Sequence, residues 1–390
     1  MAVQGVYTRE EEKMLADWRE KADKLVGWLG EKTSEAVSYP VFHRVATKEL
    51  IMHMAFADDY WNPLWRDESY ARNTRWGGII APPLFQHCIT HRGGLNIPMK
   101  APPEMGTADS NFAGDYWEFF KPIYVGDSFK VWVGRARIED VTGDKTAPRR
   151  FKATAVLSYI NQRDEVTATV HEHRFITISP RVTKKKELKF TEEYQYTPEQ
   201  MEAIDRAADA EEIRGARPRY WEDVRTGEEL KPIVREPVTV WDQLVEIQGF
   251  GLGVFPMREV RRQTPGRIIV DPVTNIRHKS IEFHLSERTA KLLGSYSTTL
   301  IYPTVEHFLA RIITNWMGDD GFLRGLDCLK LSNTPLGDAI FGYGRVTRKH
   351  ISSDGEHLVD LDVWMESVRG YISNVATATV SLLSKEKTFS

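Results

Sequence analysis

One imidazole in the second half of the chain stands where the first half carries an indole. His284 precedes Ala290 by six residues, as Trp65 precedes Ala71. Trp65 and His284 are 219 residues apart, the Gly-Asp pairs beginning at Gly126 and Gly337 are 211 apart, and Val170 and Val380, each closing a Thr-Ala-Thr-Val run, are 210 apart. Landmarks that keep nearly one offset over so long a span mark a duplicated domain rather than a solenoid. The copies differ in chemistry. Histidine titrates near neutrality and serves as general acid or base, whereas indole donates one hydrogen bond and does not titrate.

Other residue groups point to weaker chemistry. His87 and His91 are spaced i, i+4 with Cys88 between them, the spacing of a metal pair. No third ligand stands at a telling distance, so no metal site is expected and the pair reads as polar lining or packing. His171 and His173 share a strand face and meet the same objection. Gly249-Phe250-Gly251-Leu252-Gly253 lacks the Lys-Ser/Thr and βαβ context of a phosphate loop and reads as a connection.

These residues need elements to hold them. Thr8 and Glu11 form a capping box ahead of Leu15, Trp18, Ala22, Leu25, Val26 and Leu29, which predicts an amphipathic helix from residue 9 to Gly30. A second helix, apolar and buried, is expected from Pro82 or Pro83 to Gly93-Gly94. Strands are expected at 115–120, 128–138, 151–161 and 166–178, with a turn between Val141 and Pro148. Residues 181–217, with Lys184-Lys185-Lys186 and a polar helix from Pro198 to Arg214, read as a linker. The second copy repeats the plan: a buried helix from Pro303 to Met317, then strands at 326–332, 338–350, 357–368 and 371–383. A helix followed by antiparallel strands is an α+β layout. The expected domains are therefore 1–180 and 218–390, joined by 181–217.

A chain of 390 residues suits two such domains. Lys+Arg 52 against Asp+Glu 55 leaves a net charge of −3, which provides no field for nucleic acid or an anionic membrane. Only Cys88 and Cys328 are present, so a reduced, cytoplasmic setting is expected. The first residues have no basic and apolar leader pattern, and no apolar run approaches the ~20 residues of a membrane helix.

The run Asn62-Pro63-Leu64-Trp65-Arg66-Asp67, Tyr70-Ala71 and Gly77-Gly78-Ile79-Ile80-Ala81-Pro82-Pro83 resembles the MaoC-like hydratases, in which Asp-x-Asn-Pro-x-His-x-Asp precedes the buried helix of a hotdog fold. Lys121-Pro122-Ile123-Tyr124-Val125-Gly126-Asp127 resembles that family's strand-opening turn. Thr314-Asn315-Trp316-Met317-Gly318-Asp319-Asp320-Gly321-Phe322-Leu323 resembles a run of double-hotdog acyl dehydratases. The resemblance covers most of residues 40–385 and implies tandem hotdogs acting on a trans-2-enoyl or 3-hydroxyacyl thioester of coenzyme A, with no further cofactor.

On the family's frame the first copy has Tyr60 in the Asp slot and Trp65 in the His slot, and Pro83 where a Gly amide is usual. It reads as a degenerate site in which Tyr60, Trp65 and their neighbours Trp61, Tyr116, Trp117, Phe119 and Phe120 line an acyl tunnel or simply fill core. In the second copy His284 occupies the His slot and Lys279 replaces Asp. If His284 is the base, its orienting carboxylate must come from Asp242, Glu282 or Glu306; Asp59 is a further candidate if the register of the first copy shifts. The Tyr302 N–H at a helix start is the oxyanion donor. His87 would line the substrate site, and Arg261 and Arg262, with Arg258, would meet the phosphates of coenzyme A or lie in a solvated segment. Three readings stay open: a hydro-lyase, a non-catalytic acyl-CoA-binding subunit whose active dyad comes from a partner, and a hotdog thioesterase. A homodimer or hetero-oligomer fits each.

Overall fold

In the computed structural model the described residues are 8–24, 26–28, 43–90, 107–143, 149–179, 191–251, 256–263 and 268–386. In chain order the elements are α1 (Arg9–Asp23), β1 (Gly27–Trp28), α2 (Lys48–Asp58), α3 (Glu68–Arg72), α4 (Gln86–Ile89), β2 (Thr107–Phe119), β3 (Phe129–Asp140), β4 (Arg149–Asn161) and β5 (Val166–Ser179). They continue with α5 (Pro198–Asp209), β6 (Ile233–Arg235), α6 (Val240–Gly249), α7 (Met257–Gln263), β7 (Ile268–Val270), β8 (Arg277–Lys279), α8 (Glu287–Leu293), α9 (Tyr302–Met317), β9 (Phe322–Lys330), β10 (Ile340–Ile351), β11 (His357–Ser367) and β12 (Ile372–Ser381).

The chain forms two compact units, and Ala46–Cys88 belongs with the second, which also holds Pro122–Gly126 and everything from Glu187 onward. In the first unit the antiparallel order is β1-β3-β4-β5-β2. Helix α1 packs on it through Trp18, which meets Phe151 edge-on with ring centroids 5.3 Å apart. Trp117 stacks on Phe119 and Tyr159, so these aromatic residues are ordinary core.

In the second unit the order is β9-β12-β11-β10-β6. The strands wrap α9, in which every residue except Tyr302 and Arg311 is buried. Buried and half-buried positions alternate along β11, as expected of a strand with one face on a core. The approach is close: a Cβ on Gly342 of β10 would lie 2.7 Å from Ile312 Cδ1. A helix inside an antiparallel wrap is the hotdog architecture, and the α+β expectation holds.

Several boundaries differ from expectation for physical reasons. α1 stops at Asp23, and Gly27-Trp28 instead pairs with Val133 and Trp132 as a strand; the Trp28–Trp132 contact outweighs local helix preference. The first buried helix does not start at Pro82 or Pro83. Leu84 has φ 68°, which no right-handed helix can contain, so the described helix begins at Gln86. Its expected end at Gly93-Gly94, His91, Lys184–Lys186, and residues 144–148 and 252–255 lie outside the described residues. α5 ends at Asp209 rather than Arg214. The two Gly-Asp turns match closely: Gly126 has φ 91° and Gly337 φ 87°, a region that favours glycine. Among the described residues no helix is long and apolar enough to cross a membrane.

Candidate active site

Two corners of the second unit are built alike. α2 is N-capped by Thr47 and C-capped by Asp59; α6 is N-capped by Thr239 and C-capped by Phe250. α2 is followed directly by a 3-10 turn, Pro63–Trp65, and α6 by the 3-10 turn Ser280–His284 after the inserted α7, β7 and β8. Each turn leads to a short helix holding a buried alanine, Ala71 on α3 and Ala290 on α8. The two N-capped helices pack together so closely that a Cβ on Gly249 would collide with Ala57 Cβ. Trp65 and His284 thus close equivalent turns.

At the first corner the Trp65 Nε1–H donates to Asp59 Oδ2 at 2.9 Å, with both residues buried. Burial pushes the Asp59 carboxyl up to about 6, against the pull of Arg311 and of the Trp65 N–H. This corrects the reading of Tyr60 as the Asp slot: the carboxylate is present one residue earlier, because Asp59 caps α2 and turns inward. Tyr60 instead lies at an exposed edge between Phe56 and Trp61, beneath the Arg66 guanidinium.

At the second corner the half-buried His284 ring faces the carbonyl of Thr299, with Nδ1 2.9 Å from that oxygen. A carbonyl only accepts, so Nδ1 carries the proton and Nε2 is left as the basic nitrogen. Burial pushes the His284 imidazole down to about 4, so the ring is neutral at pH 7. Its orienting partner is this backbone carbonyl rather than any expected carboxylate. Asp242 caps α6 on Thr239, Glu282 binds His278 Nδ1 at 2.9 Å, and Glu306 sits 3.3 Å from His87 Nε2. The second copy has Phe250 where the first has Asp59, so a carboxylate stands at one corner and an imidazole at the other.

Tyr302 is the first residue of α9, followed by Pro303 and preceded by the N-cap Ile301. Gln243, wholly buried, joins this helix start to the histidine. Its Nε2 donates to the His284 carbonyl and, at 3.4 Å, to that of Thr299, while its Oε1 accepts from Ile301 N at 2.7 Å. Gln243, a residue that sequence reasoning passed over, thus ties the turn of His284 to the N-cap Ile301 that precedes Tyr302.

His87 lies in a different buried polar cluster. Its Nδ1 is 2.9 Å from Nε2 of His307, and the rings are near-parallel at 17°. Glu306 flanks one end, and Asp58 lies 3.4 Å from His307 Nδ1 at the other. Although burial opposes its charge, His307, Arg311 and Arg235 hold the Asp58 carboxyl below its usual value. Arg311 also forks onto Glu211, and Asn315 donates to the same carboxylate at 2.6 Å. His307 was not anticipated, yet it follows His87 by 220 residues, close to the repeat offset of the Trp65 and His284 pair. Arg258, Arg261 and Arg262 are exposed on α7. His171 and His173 sit on β5, where His173 faces Thr154 Oγ1 at 3.1 Å.

Comparison with known proteins fits this architecture. Residues 28–170 match the family described as FAS1-like, dehydratase domain region. A solved MaoC-like dehydratase aligns with a TM-score of 0.58 at 16% identity, covering 91% of this chain and 99% of its own. A MaoC domain protein dehydratase from Chloroflexus aurantiacus aligns with a TM-score of 0.51 at 10% identity, covering 92% and 97%. The peroxisomal multifunctional enzyme type 2 of Drosophila melanogaster aligns with a TM-score of 0.50 at 10% identity, covering 97% of this chain and 53% of that one. No curated protein matches by sequence. The chain is thus a double hotdog with the fold of the MaoC-like dehydratases, and its residues 28–170 match a FAS1-like dehydratase domain region.

Proposed function

We propose that the protein is a hydratase or dehydratase of enoyl and 3-hydroxyacyl thioesters, carried on coenzyme A, with His284 as its acid–base residue. The observation that carries this reading is the His284 ring, held at Nδ1 by the Thr299 carbonyl and neutral at pH 7, in a turn that Gln243 ties to the N-cap of the buried helix α9. In the hydration direction a water O–H gives its proton to Nε2 as the oxygen bonds Cβ of the enoyl group. The C=C electron pair moves toward the thioester carbonyl, whose oxygen becomes enolate-like. An amide in the first turn of α9, that of Tyr302, stabilises this oxygen, and the helix dipole adds to the effect. The imidazolium then returns its proton to Cα, so the atoms of water are added across the double bond. Dehydration is the reverse. The exposed guanidinium groups of Arg261 and Arg262 on α7 are suited to the phosphates of coenzyme A.

One observation favours a second reading. Among the described residues His284 is oriented by a backbone carbonyl rather than a carboxylate, and it is a weak base near pKa 4, as a non-catalytic acyl-CoA-binding subunit would tolerate. Purified protein mixed with crotonyl-CoA and longer trans-2-enoyl-CoA esters, followed by loss of the enoyl absorbance, separates the two. Turnover by the isolated chain is expected. Binding without turnover would replace the enzyme with the binding subunit, and release of free coenzyme A thiol would replace it with a thioesterase.

A further inference from the structure

The residues around His284 change together between the two copies, and the change extends to Gln243. Counted from the N-caps Thr47 and Thr239, the fourth helical residue is Ile51 in α2 and Gln243 in α6. Each is fully buried. The strand-like approach to the buried helix also corresponds: Ile80 bridges Tyr124 as Thr299 bridges Pro335, and Ala81 N donates to Ile123 O as Leu300 N donates to Thr334 O. One residue further on, Pro82 stands opposite Ile301. Where the second copy has His284, an amide side chain at Gln243 and a free-to-donate N–H at Ile301, the first has Trp65, Ile51 and a proline without an N–H.

A buried primary amide is costly unless both of its ends are satisfied. Gln243 satisfies both, and on the groups that set the geometry of the corner. Its NH₂ holds the His284 and Thr299 carbonyls, and its carbonyl holds the N-cap amide of α9. Thr299 O is also the acceptor for the His284 ring. One side chain therefore fixes the main chain of the histidine, the oxygen that selects its tautomer, and the start of the helix whose first amide is Tyr302. An isoleucine serves the same position in the copy whose turn ends in an indole, so fold alone does not require the amide.

We infer that Gln243 is a positioning residue of the His284 site, locking the Nδ1–H form of the imidazole and its spacing to the first turn of α9. The inference rests on the reading of His284 as the base. Its test uses the full chain with Gln243→Met, which keeps the side-chain length and removes both hydrogen-bonding ends. Ile301→Pro is the second variant; it removes the N–H that donates to Gln243 at a residue whose φ of −70° suits proline, and Ile301→Ala is its control for the buried side chain that is trimmed at the same time. The first readout is the ¹⁵N spectrum of the histidine side chains, with the His284 signals identified by their loss in His284→Gln. The wild-type ring should show a single Nδ1–H tautomer that resists protonation down to about pH 4. Gln243→Met should mix the tautomers and move the midpoint up toward the free-histidine value of about 6.5, and Ile301→Pro should do so to a smaller degree. The second readout is crotonyl-CoA hydration, where kcat should fall about 10- to 100-fold in Gln243→Met with KM changed little. Folded variants whose His284 tautomer and midpoint match the wild type would overturn the inference. If Gln243→Met does not fold, Ile301→Pro decides alone. An inactive wild type would sink the hydratase reading, while the spectra would still decide the role of Gln243.

Discussion

The corner at Trp65 and the corner at His284 share one backbone plan and differ in the ionisable group each carries. The first keeps the carboxylate, Asp59, and spends it on an indole N–H. The second keeps the imidazole and orients it with a backbone carbonyl. At the positions where the second copy has polar Gln243 and Thr299 beside its imidazole, the first copy has apolar Ile51 and Ile80. Duplication preserved the scaffold because capping, turn geometry and helix packing specify it. The side chain that closes the turn differs between the copies, Trp65 in one and His284 in the other, while that scaffold is the same.

The largest effect that would break this comparison is on turnover. His284→Ala should lower kcat for crotonyl-CoA by about 10²- to 10⁴-fold, the usual weight of a general acid–base residue. Trp65→Phe should leave kcat within about threefold in the same assay. Equal losses in both would mean that the corners are not chemically distinct.

The next effect is on stability against pH, and the corners should act with opposite sign. Asp59 titrates near 6 in the folded chain and near 4 when unfolded. Its stabilising contribution is present below about pH 4 and is lost as pH rises through 6. His284 titrates near 4 folded and near 6.5 unfolded; its contribution is present above pH 6.5 and is lost as pH falls through 4. Urea melts of Asp59→Asn from pH 4 to 6.5 should show it gaining on wild type as pH rises, and His284→Gln losing, each by on the order of 2 kcal/mol. Slopes of the same sign would refute the assignment of these two environments.

A smaller effect belongs to the indole itself. Trp65→Phe removes the donor to a buried carboxyl and should cost about 1–3 kcal/mol in chemical melts. Asp59→Asn, combined with it, should recover part of that loss, because no carboxyl is then left without a donor. The smallest effect should come from Trp65→His, which sets an imidazole against Asp59. It should add a histidine whose ¹⁵N-detected pKa lies above that of His284, since a carboxylate favours the charged ring. A new histidine titrating below 4 would show that the first corner excludes charge for reasons other than its indole.

Much of this was legible along the chain. The strand alternations, α9 and the two Gly-Asp turns rest on local spacing and the pairing of Trp65 with His284 on the repeat offset; α9 and the turns stand where expected, whereas β2 begins eight residues and β9 four residues earlier than expected. His307 was legible too, through its offset from His87. Tyr60 was placed in the Asp slot and Asp59 named only as the alternative if the register shifts, because a helix C-cap can turn a side chain inward without any change in the motif around it. Gln243 gave no local signal: glutamine is an unremarkable helix residue, and only the alignment of Thr47 with Thr239 sets it opposite Ile51.

By itself the sequence determined the duplicated α+β plan and the divergence of one slot, because periodicity, caps and left-handed glycines act over a few residues. Only the tertiary structure decided which groups complete each slot. The Thr299 carbonyl lies 15 residues from His284 and Gln243 lies 41 away, and contacts across such distances depend on how helices dock rather than on any pattern within them.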